Sequence, residues 1–301
     1  MSEITKFMKS ITAGFNQEDA DKVIRDLERK WSIFKHLSDA HFVSEFTSGD
    51  NEKLVSRYWE MYLGCYFLEN GFEVSSADEG PDFCVTIGGK KCWVEAVVPS
   101  PGLGDNRLPE EYLNPFVDGE NRSEVKVVDF PNEEILLRWT SSIDQKWRMH
   151  SRYRANDIVG IGDHYVIAVN SCLLGSGGGD GISGYPMALE SVYPIGPQVV
   201  TVDRNSGKAI STNLKYRPAV KNANGASVLT DRFIRVEYGV ISGLIAAHVH
   251  PFITRSKGDG LLLAHHLNAW MPLEKEVFPF VDEYWLEADG YMAYKVKDRI
   301  R

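Results

Sequence analysis

Pro81-Asp82-Phe83-Cys84-Val85-Thr86-Ile87, Gly88-Gly89, Lys90-Lys91-Cys92-Trp93-Val94-Glu95-Ala96-Val97-Val98 is the stretch from which the rest of the chain can be placed. Two β-rich runs flank a glycine pair, and glycine accepts the positive φ that two-residue hairpin turns require. In that register Ile87 faces Lys90, Val85 faces Cys92, and Asp82 lands opposite Glu95. Directly opposed Cβ atoms lie roughly 4.5–5.5 Å apart, where like charges destabilise the pair. A hard divalent cation with oxygen ligands would offset that repulsion. A one-residue slip, or a longer loop through Lys90, would instead separate the two acids.

Upstream, about Glu52 to Asn70 predicts a helix that is apolar almost all round: Leu54, Tyr58, Trp59, Met61, Tyr62, Leu63, Tyr66, Phe67, Leu68. Such a helix is buried. Glu60 sits in its middle, and a buried carboxylate needs a partner. Before it, residues 1–50 predict a helical extension, with Ile24, Leu27, Trp31 and Phe34 at helical spacing. Phe72-Glu73-Val74 begins a strand ahead of the hairpin.

Downstream, Pro99 to about Asn132 is polar and rich in Pro, Gly and Asn, the composition of an irregular excursion. A second helix is predicted from about Glu133 to Tyr153, then a central strand, His164 to Asn170, as a continuous apolar run. The order is helix, three strands, helix, strand. Gly175 to Gly181 reads as a flexible loop without the GK[ST] ending of a phosphate-binding loop. Gln198 to Val202, Val240 to Val249 and Gly260 to His265 are expected to extend the same α/β body. His248 and His250 would share one face of a strand, a metal spacing that lacks a third ligand.

The chain's 301 residues, 43% hydrophobic, suffice for one large domain or two small ones. No run approaches the ~20 apolar residues of a membrane span. The opening residues lack the apolar core of a signal peptide. Four cysteines (65, 84, 92 and 172) show no CxxC spacing and read as reduced, buried thiols, so a cytoplasmic location is expected. The net charge of −9 argues against a broad non-specific nucleic-acid coat while leaving room for a local basic groove.

An acid in a buried first helix, Pro-Asp at a strand start and Glu-x-x on the paired strand resemble the PD-(D/E)XK nuclease superfamily. The resemblance covers roughly residues 50–172. It implies a restriction-endonuclease-like αβββαβ core with a mixed central sheet, here within residues 51–301, plus a C-terminal elaboration. By resemblance, Asp82 and Glu95 would bind Mg²⁺, with Mn²⁺ as a substitute, and the Ala96 carbonyl would complete the shell. Glu60 matches an acid that some members use. The implied activity is metal-dependent phosphodiester hydrolysis, as in a restriction or phage-defence DNA endonuclease. Nucleic acid would be the partner, DNA by family precedent, and cutting two strands commonly calls for a homodimer.

The family's lysine is missing, because Val97 stands two residues after Glu95 and shares its face. A degenerate fold that binds nucleic acid or protein without cutting is therefore the alternative. On the second helix, Arg138, Ser142, Gln145 and Lys146 fall on one side, next to the apolar stripe Leu136, Trp139, Ile143 and Trp147. Lys146 is the chosen substitute, with Gln145 as its neighbour in the site; a helix-surface lysine snorkelling off the core is the plainer reading. Lys146, Arg148, Arg152 and Arg154 make the densest basic stretch, and Arg138, Arg148, Arg152 and Arg154 are the expected nucleic-acid contacts.

Overall fold

A computed structural model of the protein describes residues 2–76, 79–104, 107–113, 129–254, 258–287 and 290–297. The hairpin forms in the register that its glycines demand. Strand β2 (Phe83–Ile87) pairs antiparallel with β3 (Lys90–Val97), Ile87 against Lys90 and Val85 against Cys92. Gly88 and Gly89 turn the chain at φ of +55° and +78°, values that an L side chain resists. One step beyond the last ladder pair, Phe83 with Val94, Asp82 comes level with Glu95.

A short strand, β1 (Val74–Ser75), precedes the hairpin and pairs with β2. Strand β4 (His164–Asn170) lies parallel to β3. Helices α1 (Glu3–Ile11), α2 (Gln17–Phe34) and α3 (Phe42–Phe46) lead to α4 (Asn51–Glu69), the predicted buried helix. After β3 come one turn of helix, α5 (Glu110–Leu113), and the long α6 (Asn132–Ala155). Much of the expected excursion, residues 114–128, lies outside the described residues.

Beyond β4, a short helix α7 (Met187–Val192) leads to β5 (Ile195–Val202), β6 (Ala209–Tyr216), β7 (Ala219–Lys221) and β8 (Ser227–Leu229). Strands β9 (Gly243–Ala247), β10 (Leu262–His265), β11 (Asp282–Leu286) and β12 (Met292–Lys295) follow. They complete a mixed eight-stranded sheet in the order β1-β2-β3-β4-β9-β10-β11-β12.

Alternate residues of β3 and β4 reach opposite faces, so each face has its own core. Val94, Val166, Ala168 and Ile245 pack with α4 and the three N-terminal helices. Trp93, Tyr165, Ile167 and Leu244 pack with Leu136, Trp139 and Ile143 of α6. Burying apolar helix stripes on both faces of a sheet is what makes this α/β architecture stable. Trp59 anchors α4 by donating its indole N–H to the Ala168 carbonyl at 3.0 Å. Trp139 does the same for the glycine-rich loop, donating to the Gly178 carbonyl at 2.9 Å.

Two expectations are corrected. Gln198–Val202 does not extend the main sheet: β9 takes the place beside β4, and β5 pairs with β6 as a separate ribbon. Val199, Val200 and Val202 stay about half exposed there, so their apolar run is not a core signal. The second concerns His248 and His250, which do not share a strand face, because β9 ends at Ala247. His248 Nδ1 lies 3.1 Å from Ser171 Oγ, and the His250 ring packs on Phe252. Among the described residues, no helix is long and apolar enough to cross a membrane.

Candidate active site

Asp82 and Glu95 face each other at the open end of the β2–β3 hairpin, and Glu60 lines a cavity with Asp82. Asp82 is held at the start of β2, where its Oδ2 accepts the Ala96 amide N–H at 2.7 Å. This bond locks the carboxylate against β3 on the face that carries Glu95. Glu95, only 3% exposed, lies under α6. Its Oε1 accepts from Lys146 Nζ at 2.6 Å, and its Oε2 from the Tyr153 hydroxyl at 3.1 Å. Lys146 and Tyr153 are seven residues apart, two turns of one helix stripe. The helix is itself registered over β4, because the Tyr165 hydroxyl donates to the Lys146 carbonyl at 2.9 Å.

Glu60, on α4 across the sheet, lines one cavity with Asp82 and feels its charge. Its Oε2 accepts from Arg57 at 2.7 Å, and the same guanidinium bonds Asp39 at 3.0 Å and Glu45 at 2.6 Å. The N-terminal helices thus supply part of the wall. A cavity of about 480 Å³ opens here, lined by His36, Ser38, Asp39, Arg57, Glu60 and Asp82.

Electrostatics set this cluster apart from ordinary surface acids. Burial, reinforced by the Asp82 charge and opposed by Arg57, pushes the Glu60 carboxyl up to about 8. Burial likewise pushes Glu95 up to about 7, with Asp82 adding to the rise and Lys146 opposing it. Asp82 itself is raised, chiefly by burial, against the pull of Lys146 and the Ala96 N–H. Acids whose folded values exceed their unfolded ones favour the fold while protonated. Their contribution is full below about pH 4.5 and is lost as pH climbs through about 7 for Glu95 and 8 for Glu60. Carboxylates gathered at such a disadvantage in a cleft are the pattern by which functional sites are found. Glu60→Gln is therefore expected to gain a few °C in thermal midpoint at pH 8 over the parent, and to match it near pH 5. Melting curves at the two pH values check this, and an equal gain at both would remove the ionisation argument.

Several expected members are elsewhere. Gln145 lies on a different flank of α6 from Lys146, with Arg138, Arg148 and Arg152, along a separate groove. The reason is angular: successive helix residues are about 100° apart, so neighbours in sequence do not share a site. Arg154 donates to the Val159 carbonyl at 2.6 Å, tying down the chain after the helix. Tyr153 and Arg57 were not anticipated. Tyr153 ends the predicted helix outside its apolar stripe, whereas Arg57, three residues before Glu60, was findable as a same-face helix pair.

The donor set here is carboxylate and carbonyl oxygen, which suits a hard cation. Among the described residues, no group of three or more His, Cys, Asp or Glu side chains is disposed to close around a metal. Mg²⁺ is commonly held by only one or two carboxylates, with several waters retained in its shell. No protein-family model matches the chain, no curated protein matches it in sequence, and no solved structure matches its fold.

Proposed function

We propose that the protein is a metal-dependent nuclease of the PD-(D/E)XK type, hydrolysing phosphodiester bonds of nucleic acid, DNA by family precedent. One observation carries this reading: Lys146 Nζ stands 2.6 Å from Glu95, supplying from α6 the cation that Val97 withholds from the strand. The order α4, β1–β3, α6, β4 agrees with the core such nucleases share.

In this reading Asp82, Glu95 and the Ala96 carbonyl would hold Mg²⁺ or Mn²⁺, which when bound lowers the pKa of water and draws charge from the phosphate. Asp82 is oriented by the Ala96 N–H, and Glu95 by Tyr153. Lys146 places positive charge where the phosphate gains negative charge, and Glu60, steadied by Arg57, accepts a hydrogen bond from the attacking water. A cytoplasmic enzyme acting as a dimer on two strands fits the same reading.

The test is Mg²⁺ titration by calorimetry, paired with incubation of labelled single-stranded and duplex DNA. Saturable binding with cleavage is expected. A thermal midpoint unmoved by saturating Mg²⁺ would count against the metal site, since a ligand that binds only the native state raises apparent stability. Metal binding without cleavage would favour the degenerate, binding-only alternative.

A further inference from the structure

The outer flank of α6 carries a second feature that the acid cluster does not use. A groove of about 610 Å³ runs between α6 and the β7–β8 hairpin, lined by Arg138, Ser141, Gln145, Arg148, Arg152 and Asn222 among others. None of the three arginines has an acidic partner among the described residues. Arg138 is half-buried, its Nε is enclosed without a hydrogen-bond acceptor, and desolvation unrelieved by any anion lowers its pKa. Burying guanidinium without a counter-charge is costly, and an oxyanion is the natural partner for it.

Asp144, the acid in the groove wall, is already neutralised. Arg232, 1% exposed, grips both of its oxygens, at 2.8 and 2.7 Å. Among the described residues the groove is left with three unpaired positive charges, on a chain whose formal charge is −9. From Arg138 to Arg152 the helix rises roughly 21 Å, too long a tract for one phosphate or nucleotide.

We infer that this groove binds the phosphodiester backbone of a nucleic acid, Arg138, Arg148 and Arg152 each meeting a phosphate. The inference deepens the nuclease reading and rests on it only for what the bound strand is for: holding the substrate along α6, another flank of which carries Lys146 to the acids. Phosphate contacts of this kind position a strand without reading its sequence.

The experiment uses full-length Asp82→Asn, so that the probe survives, with and without Arg138→Gln, Arg148→Gln and Arg152→Gln combined. Fluorescein-labelled 20-mers, single-stranded and duplex, are titrated by anisotropy from 50 to 300 mM KCl. Each phosphate contact contributes about 0.7 (single strand) to 0.9 (duplex) to the log–log salt slope. The triple variant is expected to flatten the slope by about 2 to 3 and to bind about 10²-fold more weakly at 0.1 M salt. Arg148→Gln and Arg152→Gln singly, both at exposed positions, repeat the test without touching a packed residue, each removing just under one unit of slope. Unchanged slopes and affinities would overturn the inference. So would an equal loss from Lys9→Gln, Lys22→Gln and Lys35→Gln on the N-terminal helices, since net charge alone would then explain it. Arginine-dependent binding by a protein that never cleaves upholds the groove and removes the nuclease reading. Cleavage that needs Asp82, with affinity indifferent to the arginines, does the reverse.

Discussion

Asp82→Asn is expected to lower Mg²⁺-dependent cleavage by about 10³-fold or more while leaving the protein folded. The loss follows from removing one of two carboxylates that would hold the ion, a contribution of several kcal/mol to transition-state charge. The fold survives for two reasons. The asparagine carbonyl can still accept the Ala96 N–H that Asp82 accepts at 2.7 Å. It also removes a buried negative charge that presses on both Glu60 and Glu95. The thermal midpoint without metal should therefore hold or rise, and the upward shift produced by Mg²⁺ in the parent should vanish. Single-turnover cleavage and melting with and without Mg²⁺ measure both. Cleavage within tenfold of the parent would end the assignment of Asp82 as a metal ligand.

How far the sequence led depends on which physical constraint was local. The glycine pair and the two-residue period of a strand determine the facing of Asp82 and Glu95 between them, so that juxtaposition was legible before any coordinates. The apolar girth of α4 and the run from His164 to Asn170 were legible for the same reason: each needs only its own residues to declare burial. Lys146 sat at the edge of an apolar stripe, and the structure turns that edge toward Glu95. Gln145 lines the outer groove, because a helix separates adjacent residues by about 100° and only the packing decides which flank faces the sheet. Tyr153 was invisible as a site residue, since its ring is core-like and its hydroxyl finds Glu95 only across 58 residues of chain. The Gln198–Val202 run was the reverse case, apolar as a core strand would be yet exposed within the β5–β6 ribbon.

Lys146→Met tests the remaining half of the proposal, that α6 restores what Val97 took away. Methionine keeps the length and apolar stem of lysine, which lies mostly buried, and deletes only the charge. Cleavage is expected to fall by about 10²- to 10³-fold, the range for losing one preorganised stabiliser of developing charge. Stability has a pH signature of its own. Breaking a buried ion pair by removing one partner costs about 3–5 kcal/mol when the other charge is stranded. Glu95 is not forced to remain charged, however. Its carboxyl already stands near 7 with Lys146 beside it, and losing that cation drives it higher. At pH 6 the variant should therefore hold Glu95 protonated and lose little stability. At pH 8.5 the difference from the parent should widen, because the parent keeps the pair that the variant lacks. A loss of cleavage with a midpoint difference that grows with pH is the result the ion pair demands. A difference equal at both pH values would mean that Lys146 acts by packing alone, and cleavage retained in the variant would return it to the surface of α6.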